Sequence, residues 1–177
     1  MSALKDQGVV EWLDIVSGIA NGGHKIIDVD YDTYAKGEAE LGWLNASISL
    51  VAREATGWDA FARSVIGLIH CDPAGSRAEI GHLKLLISNP SGQVVVNVTL
   101  TGEMPDTRGN IGTLAGTALL IVNVRVGMEP QELKSIVERS ITAAAGRGIE
   151  ISELSLNSFR PAYPRPTYRM DRVVVQP

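Results

Sequence analysis

The chain has 177 residues, 45% of them hydrophobic and 20% charged, which is enough for one domain with a real core and unlike a disordered composition. A formal net charge of -4 argues against general nucleic-acid binding, because neutralising phosphates takes a surplus of Lys and Arg. Cys71 is the only cysteine, which excludes an internal disulfide framework, and no apolar run approaches the roughly 20 residues that span a bilayer.

Residues 8–20 carry Val9, Trp12, Leu13, Val16, Ile19 and Ala20 at helical spacing, with Gly22 and Gly23 as a stop. After the short apolar pair Ile26 and Ile27, Asp32 is expected to cap a second helix that presents Tyr34, Ala35, Glu38 and Leu41 on neighbouring faces. From 44 to 52 the pattern changes to strict alternation, Leu44, Ala46, Ile48 and Leu50 against Asn45, Ser47 and Ser49, which predicts a half-buried strand. A helix over 58–69 follows Thr56-Gly57, with Phe61, Val65 and Leu68 expected to point inward. Two strands, 80–88 and 93–100, flank Asn89-Pro90-Ser91-Gly92, a hairpin turn in composition. The Gly-rich polar stretch 101–116 reads as a long loop and 118–126 as a strand. Pro130 opens a helix that Gly146 ends, a strand over 151–159 follows, and a Pro- and Arg-rich tail completes the chain.

The order strand, helix, strand, strand, strand, helix, strand predicts an α+β fold. Its expected form is a ferredoxin-like split βαβ sheet with one extra strand and two helices on one face. Residues 1–43 are expected to be an N-terminal helical extension packed on the main domain, residues 44–159 the ferredoxin-like domain, and 160–177 a tail. The N-terminus, with Lys5, Asp6 and Glu11, lacks the layout of a signal peptide, so the expected compartment is the cytoplasm, with no membrane partner. The sequons at Asn45 and Asn97 are then irrelevant.

In such a layout the apolar set faces the helices and the other face of the sheet is open. That face is expected to present Asn45, Ser47 and Ser49; His82 and Lys84; Asn97 and Thr99; Asn123 and Arg125; and Glu153, Ser155 and Asn157. Small amides and hydroxyls suit contact better than solvation. His82, Lys84, Asn97, Asn123 and Arg125 are therefore the candidate ligand-binding residues, for an anionic small molecule or another chain. The alternative is a face that is merely solvated.

Other chemistry is harder to assemble. His82 lacks an identifiable orienting partner for a general-base or metal role. His70-Cys71-Asp72 offers a soft-metal corner without the usual paired ligand spacing, so no metal ligand is assigned. Asp28, Asp30 and Asp32 begin like a calcium loop, but the sixth position is Thr33 and the twelfth Ala39. Gly109, Gly112 and Gly116 lack the context of a dinucleotide fingerprint, and nothing matches a P-loop. No catalytic residue and no cofactor is expected. Arg160, Arg165, Arg169 and Arg172 could grip an acidic partner, or simply be solvated.

Three segments carry a resemblance. The stretch from Asp30-Tyr31-Asp32-Thr33-Tyr34-Ala35-Lys36-Gly37-Glu38-Ala39-Glu40 through Leu41-Gly42-Trp43-Leu44-Asn45-Ala46 is one. Glu79-Ile80-Gly81-His82-Leu83-Lys84-Leu85-Leu86 and Phe159-Arg160-Pro161-Ala162-Tyr163-Pro164-Arg165-Pro166-Thr167-Tyr168-Arg169 are the others. Together they resemble the region downstream of the GTPase domain in CobW-like, cobalamin-synthesis-type GTPases. The resemblance implies an α+β accessory domain that recognises a partner or client in metal trafficking. The nucleotide and metal residues of that family belong to its GTPase half, so none transfers. The expectation is a non-catalytic interaction domain that self-associates as a homo-oligomer or joins a CobW-like GTPase; the alternative is a small-molecule-binding or enzymatic α+β domain that holds an anionic ligand on the open face with His82, Lys84 and Arg125.

Overall fold

A computed structural model of the chain describes residues 1–18, 29–72, 78–99, 101–102 and 104–165. It divides into two compact units, the described residues of Met1–Tyr31 and Pro164–Pro177 in one and Asp32–Tyr163 in the other. The first holds a short 3-10 turn, Ala3–Lys5, and helix α1, Val9–Gly18, on which no residue is buried. Of the residues at helical spacing in α1, Trp12, Leu13 and Val16 are exposed; Ile19 and Ala20, the Gly22-Gly23 stop and the Ile26-Ile27 pair lie outside the described residues.

The second unit begins at Asp32, within α2 (Tyr31–Glu40), and continues through β1 (Gly42–Gly57), α3 (Trp58–His70), β2 (Ile80–Asn89), β3 (Gly92–Val98), β4 (Asp106–Asn110), β5 (Thr113–Val126), α4 (Pro130–Ala145) and β6 (Ile149–Phe159). All six strands form one antiparallel sheet in the order β4-β3-β2-β5-β1-β6. Asp32 falls inside the first turn of α2 rather than at its cap, and accepts a hydrogen bond from Tyr163 Oη at 2.7 Å.

Period-2 alternation builds the core as expected. Leu44, Ala46, Ile48 and Leu50 of β1 join Leu120, Val122 and Val124 of β5, Leu83, Leu85 and Ile87 of β2, and Val94, Val96 and Val98 of β3 under the two long helices. Helix α3 contributes Trp58, Phe61, Ala62, Val65, Ile66 and Ile69. Leu68 is exposed, contrary to expectation, because a 3.6-residue period that starts from Trp58 reaches Ile69 instead.

The expected loop 101–116 is the main local correction, since it contains β4 and the start of β5. Strand β4 reads Asp-Thr-Arg-Gly-Asn, without an apolar alternation, because it is an edge strand held by its main-chain pairing to β3. The start of β5 is tied to α3: Asp59 accepts the N–H groups of Ile111 at 2.9 Å and Gly112 at 3.4 Å, and Trp58 N–H donates to the Gly112 carbonyl at 3.2 Å. The Asn89–Gly92 turn forms as its composition predicts, with Asn89 Oδ1 accepting from Ser91 N–H at 2.8 Å and Gly92 N–H at 3.2 Å. Among the described residues no helix is long and apolar enough to cross a membrane.

Candidate functional site

Strand register lays the open face out in rows. One row crosses all six strands: Asn157 opposes Asn45, Asn45 opposes Asn123, Asn123 opposes Lys84, Lys84 opposes Asn97, and Asn97 opposes Asp106. Four amides flank one lysine, and Asn123 Nδ2 donates to Asn45 Oδ1 at 2.8 Å. The neighbouring row toward the end of the sheet is Phe159, Trp43, Arg125, His82. The five expected binding residues, His82, Lys84, Asn97, Asn123 and Arg125, are thus contiguous in register. Ser47, Ser49, Glu153 and Ser155 also share this face, while Thr99 lies just past the end of β3.

Two features of the face escaped the sequence reading. The first is an aromatic anchor: the Arg125 guanidinium lies 3.7 Å from the Trp43 ring centroid, and Trp43 packs on Phe159 with centroids 6.0 Å apart. Both rings share the face of Asn45 and Asn157 by strand parity, a signal present in the sequence. The second is a half-buried apolar row, Ile121, Leu86 and Val95, running beside the asparagines. The face is therefore not uniformly polar but amide, aromatic and aliphatic in adjacent bands.

Around His82 the electrostatics are positive. Burial, then the charges of Arg125 and Lys84, lower its proton affinity below the ordinary imidazole value of 6.5. The ring is neutral near pH 7, leaving Arg125 in its own row and Lys84 in the next as the cations beside it. Gly81 forms a bulge between Ile80 and His82 and lies against Leu41: a Cβ there would sit 3.3 Å from Leu41 Cδ1 and 3.5 Å from the Arg125 carbonyl oxygen.

The surrounding segments are clasped together. Arg160 donates to the Ala39 carbonyl at the end of α2 and pairs with Glu129 Oε1 at 2.5 Å. Ser158 Oγ donates to the Trp43 carbonyl at 3.1 Å or to that of Pro130 at 2.7 Å. Arg160 is thereby a structural clasp within the unit rather than a free grip on an acidic partner. Arg165 is exposed, and Arg169 and Arg172 lie outside the described residues.

The remaining candidates do not join this surface. His70 ends α3, Cys71 is exposed, and Asp72 pairs with Arg139 at 3.2 Å. Among the described residues no three His, Cys, Asp or Glu side chains gather to hold a metal ion. Asp28 lies outside the described residues. Gly109 serves the sheet, with φ of +81° and room for no side chain, since a Cβ would lie 2.2 Å from the Gln93 carbonyl oxygen. A cavity of about 780 Å³ lies at the far end of β1, lined by Arg53, Glu54, Arg147 and Glu150 among others, but Arg53 and Glu150 already pair there at 3.3 Å. Comparison with sequence families, curated proteins and solved structures gives no match.

Proposed function

We propose that this chain is a non-catalytic interaction domain, acting in the cytoplasm, whose Trp43–Arg125–His82 end of the open sheet face docks a CobW-like GTPase. One observation carries the reading. The three segments that resemble the CobW-like accessory region are distant in sequence and adjacent in space. Leu41 lies against Gly81, Trp43 against Phe159, Ala39 accepts from Arg160, and Asp32 accepts from Tyr163. Segments that converge on one surface patch are more simply explained by a shared contact than by three separate roles. The patch has the make-up of a recognition surface, with an aromatic–Arg anchor beside amides and an aliphatic strip. The strand order β6-β1-β5-β2, with α3 and α4 as the connections, supports a ferredoxin-like core in which β3 and β4 are an inserted pair. Hydrogen exchange with and without a purified CobW-like GTPase tests the docking. Protection of 41–46, 81–84 and 123–126 is expected, and protection confined to α3 and α4 would contradict it.

A second reading is favoured by the placement of two cations, Arg125 opposite His82 and Lys84 two residues along the same strand, around an imidazole whose proton affinity is lowered first by burial and then by those charges. These two adjacent rows would then take an anionic small molecule, such as a phosphate or carboxylate. Thermal-shift screening with phosphates, carboxylates and nucleotides tests it. A shift that survives in both His82→Ala and Arg125→Ala rules out these rows.

A further inference from the structure

The two edges of the sheet are built differently. At one edge, β4 has five residues, all polar or glycine, with Gly109 in the left-handed region and Arg108 paired to its own Asp106 at 2.8 Å. That is a short, charged and distorted edge of the kind that resists pairing. At the other edge, β6 is an 11-residue strand that pairs with β1 on one side only. Among the described residues its outer main-chain groups meet no neighbouring strand. Leu154 lies midway along it with 48% of its surface exposed, in register with fully buried Ile48 on the helix-covered side. A leucine on the core side of a sheet, left half in water at an open edge, is a core that stops short.

We infer that β6 pairs with β6 of a second copy, antiparallel about a twofold axis at Ser155, so that two six-stranded sheets become one. A twofold interface must be complementary to itself, and the sequence of β6 limits the registers that are. An axis at Glu153 sets two glutamates directly opposite and is unfavourable. An axis at Ser155 sets Ser155 against its own copy. It opposes Leu154 to Leu156 twice on the helix side, and Glu153 to Asn157 twice on the open face. The regular stretch used for this lies beyond the bulge at Ser152, where the pairing with β1 shifts between Ser49 and Leu50 and Ser152 Oγ donates to the Ser49 carbonyl at 3.1 Å. The bulge and Glu153 thus select a register rather than block the edge. Edge pairing leaves both faces of the sheet accessible, so it is independent of docking on the open face.

Cysteine crosslinking in a Cys71→Ser background tests the inference. Residues opposed across an antiparallel pair have Cα atoms about 4.5–5.5 Å apart, within the span of a disulfide. Under mild oxidation, Ser155→Cys is expected to give a covalent dimer, while Ser47→Cys, on the open face, stays monomeric on a non-reducing gel. Light scattering of the unsubstituted chain is expected to give twice the chain mass, and Leu154→Lys to return it to one. A monomer mass at all concentrations up to 100 μM (roughly a millimolar-weak interface at best) together with an uncrosslinked Ser155→Cys overturns the inference. So does crosslinking at Ser47→Cys in preference to Ser155→Cys, which would assign self-association to the open face.

Discussion

The Arg125 guanidinium stacks on the Trp43 ring at 3.7 Å from its centroid, which joins β5 to β1 on the face of the sheet that carries no helix core. The contact fixes a long flexible cation over a flat aromatic, and the two together form the anchor of the proposed docking patch. A cation–π pair at a partly exposed site contributes about 0.5–1 kcal/mol. A double-mutant cycle with Trp43→Leu and Arg125→Met, read by urea unfolding, is expected to give a coupling energy in that range. Additive single-mutant losses would mean that the stack contributes nothing to stability.

His82 gives the protein a pH dependence whose direction follows from the lowered proton affinity of the folded state. The unfolded chain takes up the imidazole proton at the ordinary value, and the folded chain does so only at lower pH. The contribution of neutral His82 is therefore complete above pH 6.5 and is lost as pH falls below it, toward the depressed folded value. Melting temperature measured from pH 7.5 down to pH 5 is expected to fall more steeply for the unsubstituted chain than for His82→Gln. Because burial is the leading cause, Lys84→Met is expected to recover only part of the difference. Parallel pH profiles for the unsubstituted chain and His82→Gln would contradict this account.

Two glycines give opposite predictions. Gly37 lies inside α2 with nothing within 4 Å of a Cβ, so Gly37→Ala is expected to stabilise by about 0.5–1 kcal/mol. Gly42 starts β1 where a Cβ would sit 2.5 Å from the Met128 carbonyl oxygen. The backbone of the β5–α4 connection cannot yield as a side-chain tip would, and Gly42→Ala is expected to destabilise by about 1–3 kcal/mol. Thermal unfolding of the two variants checks the sign of each.

Asp59 holds the 111–112 segment to the first turn of α3 through both carboxylate oxygens. Removing it leaves two part-buried N–H donors without that acceptor, so Asp59→Ala is expected to cost about 1–3 kcal/mol. Asp59→Asn keeps one acceptor oxygen and is expected to retain part of the stability. Equal losses in the two variants would place the effect in the charge at the helix start rather than in the hydrogen bonds.

How much of this was legible in the sequence depended on what holds each element. The alternation of Leu44, Ala46, Ile48 and Leu50 specified a strand and its buried face, because a sheet with one covered face imposes period 2. The same parity brought His82, Lys84, Asn97, Asn123 and Arg125 onto the open face, where register now makes them neighbours. It also put Trp43 there, but a tryptophan next to a buried leucine reads as core until its pairing with Arg125 and Phe159 is known. Strand β4 left no trace because its side chains bury little and its main chain alone makes it a strand. The bulges at Gly81 and Ser152 were equally hidden, since each depends on the partner strand. Convergence of three distant segments on one patch was beyond any local pattern, as it depends on the strand order.

The most direct test of the docking account is the affinity of the purified chain for a CobW-like GTPase, measured by calorimetry for three proteins. They are the unsubstituted chain, Lys84→Glu in the asparagine row, and Arg63→Glu on the exposed side of α3. Both substituted positions are exposed, so neither change should disturb the core. Lys84→Glu is expected to weaken binding by about tenfold or more, as reversal of a contact charge does, and Arg63→Glu to leave it within about twofold. No binding by the unsubstituted chain, or equal affinities for all three proteins, would contradict the account.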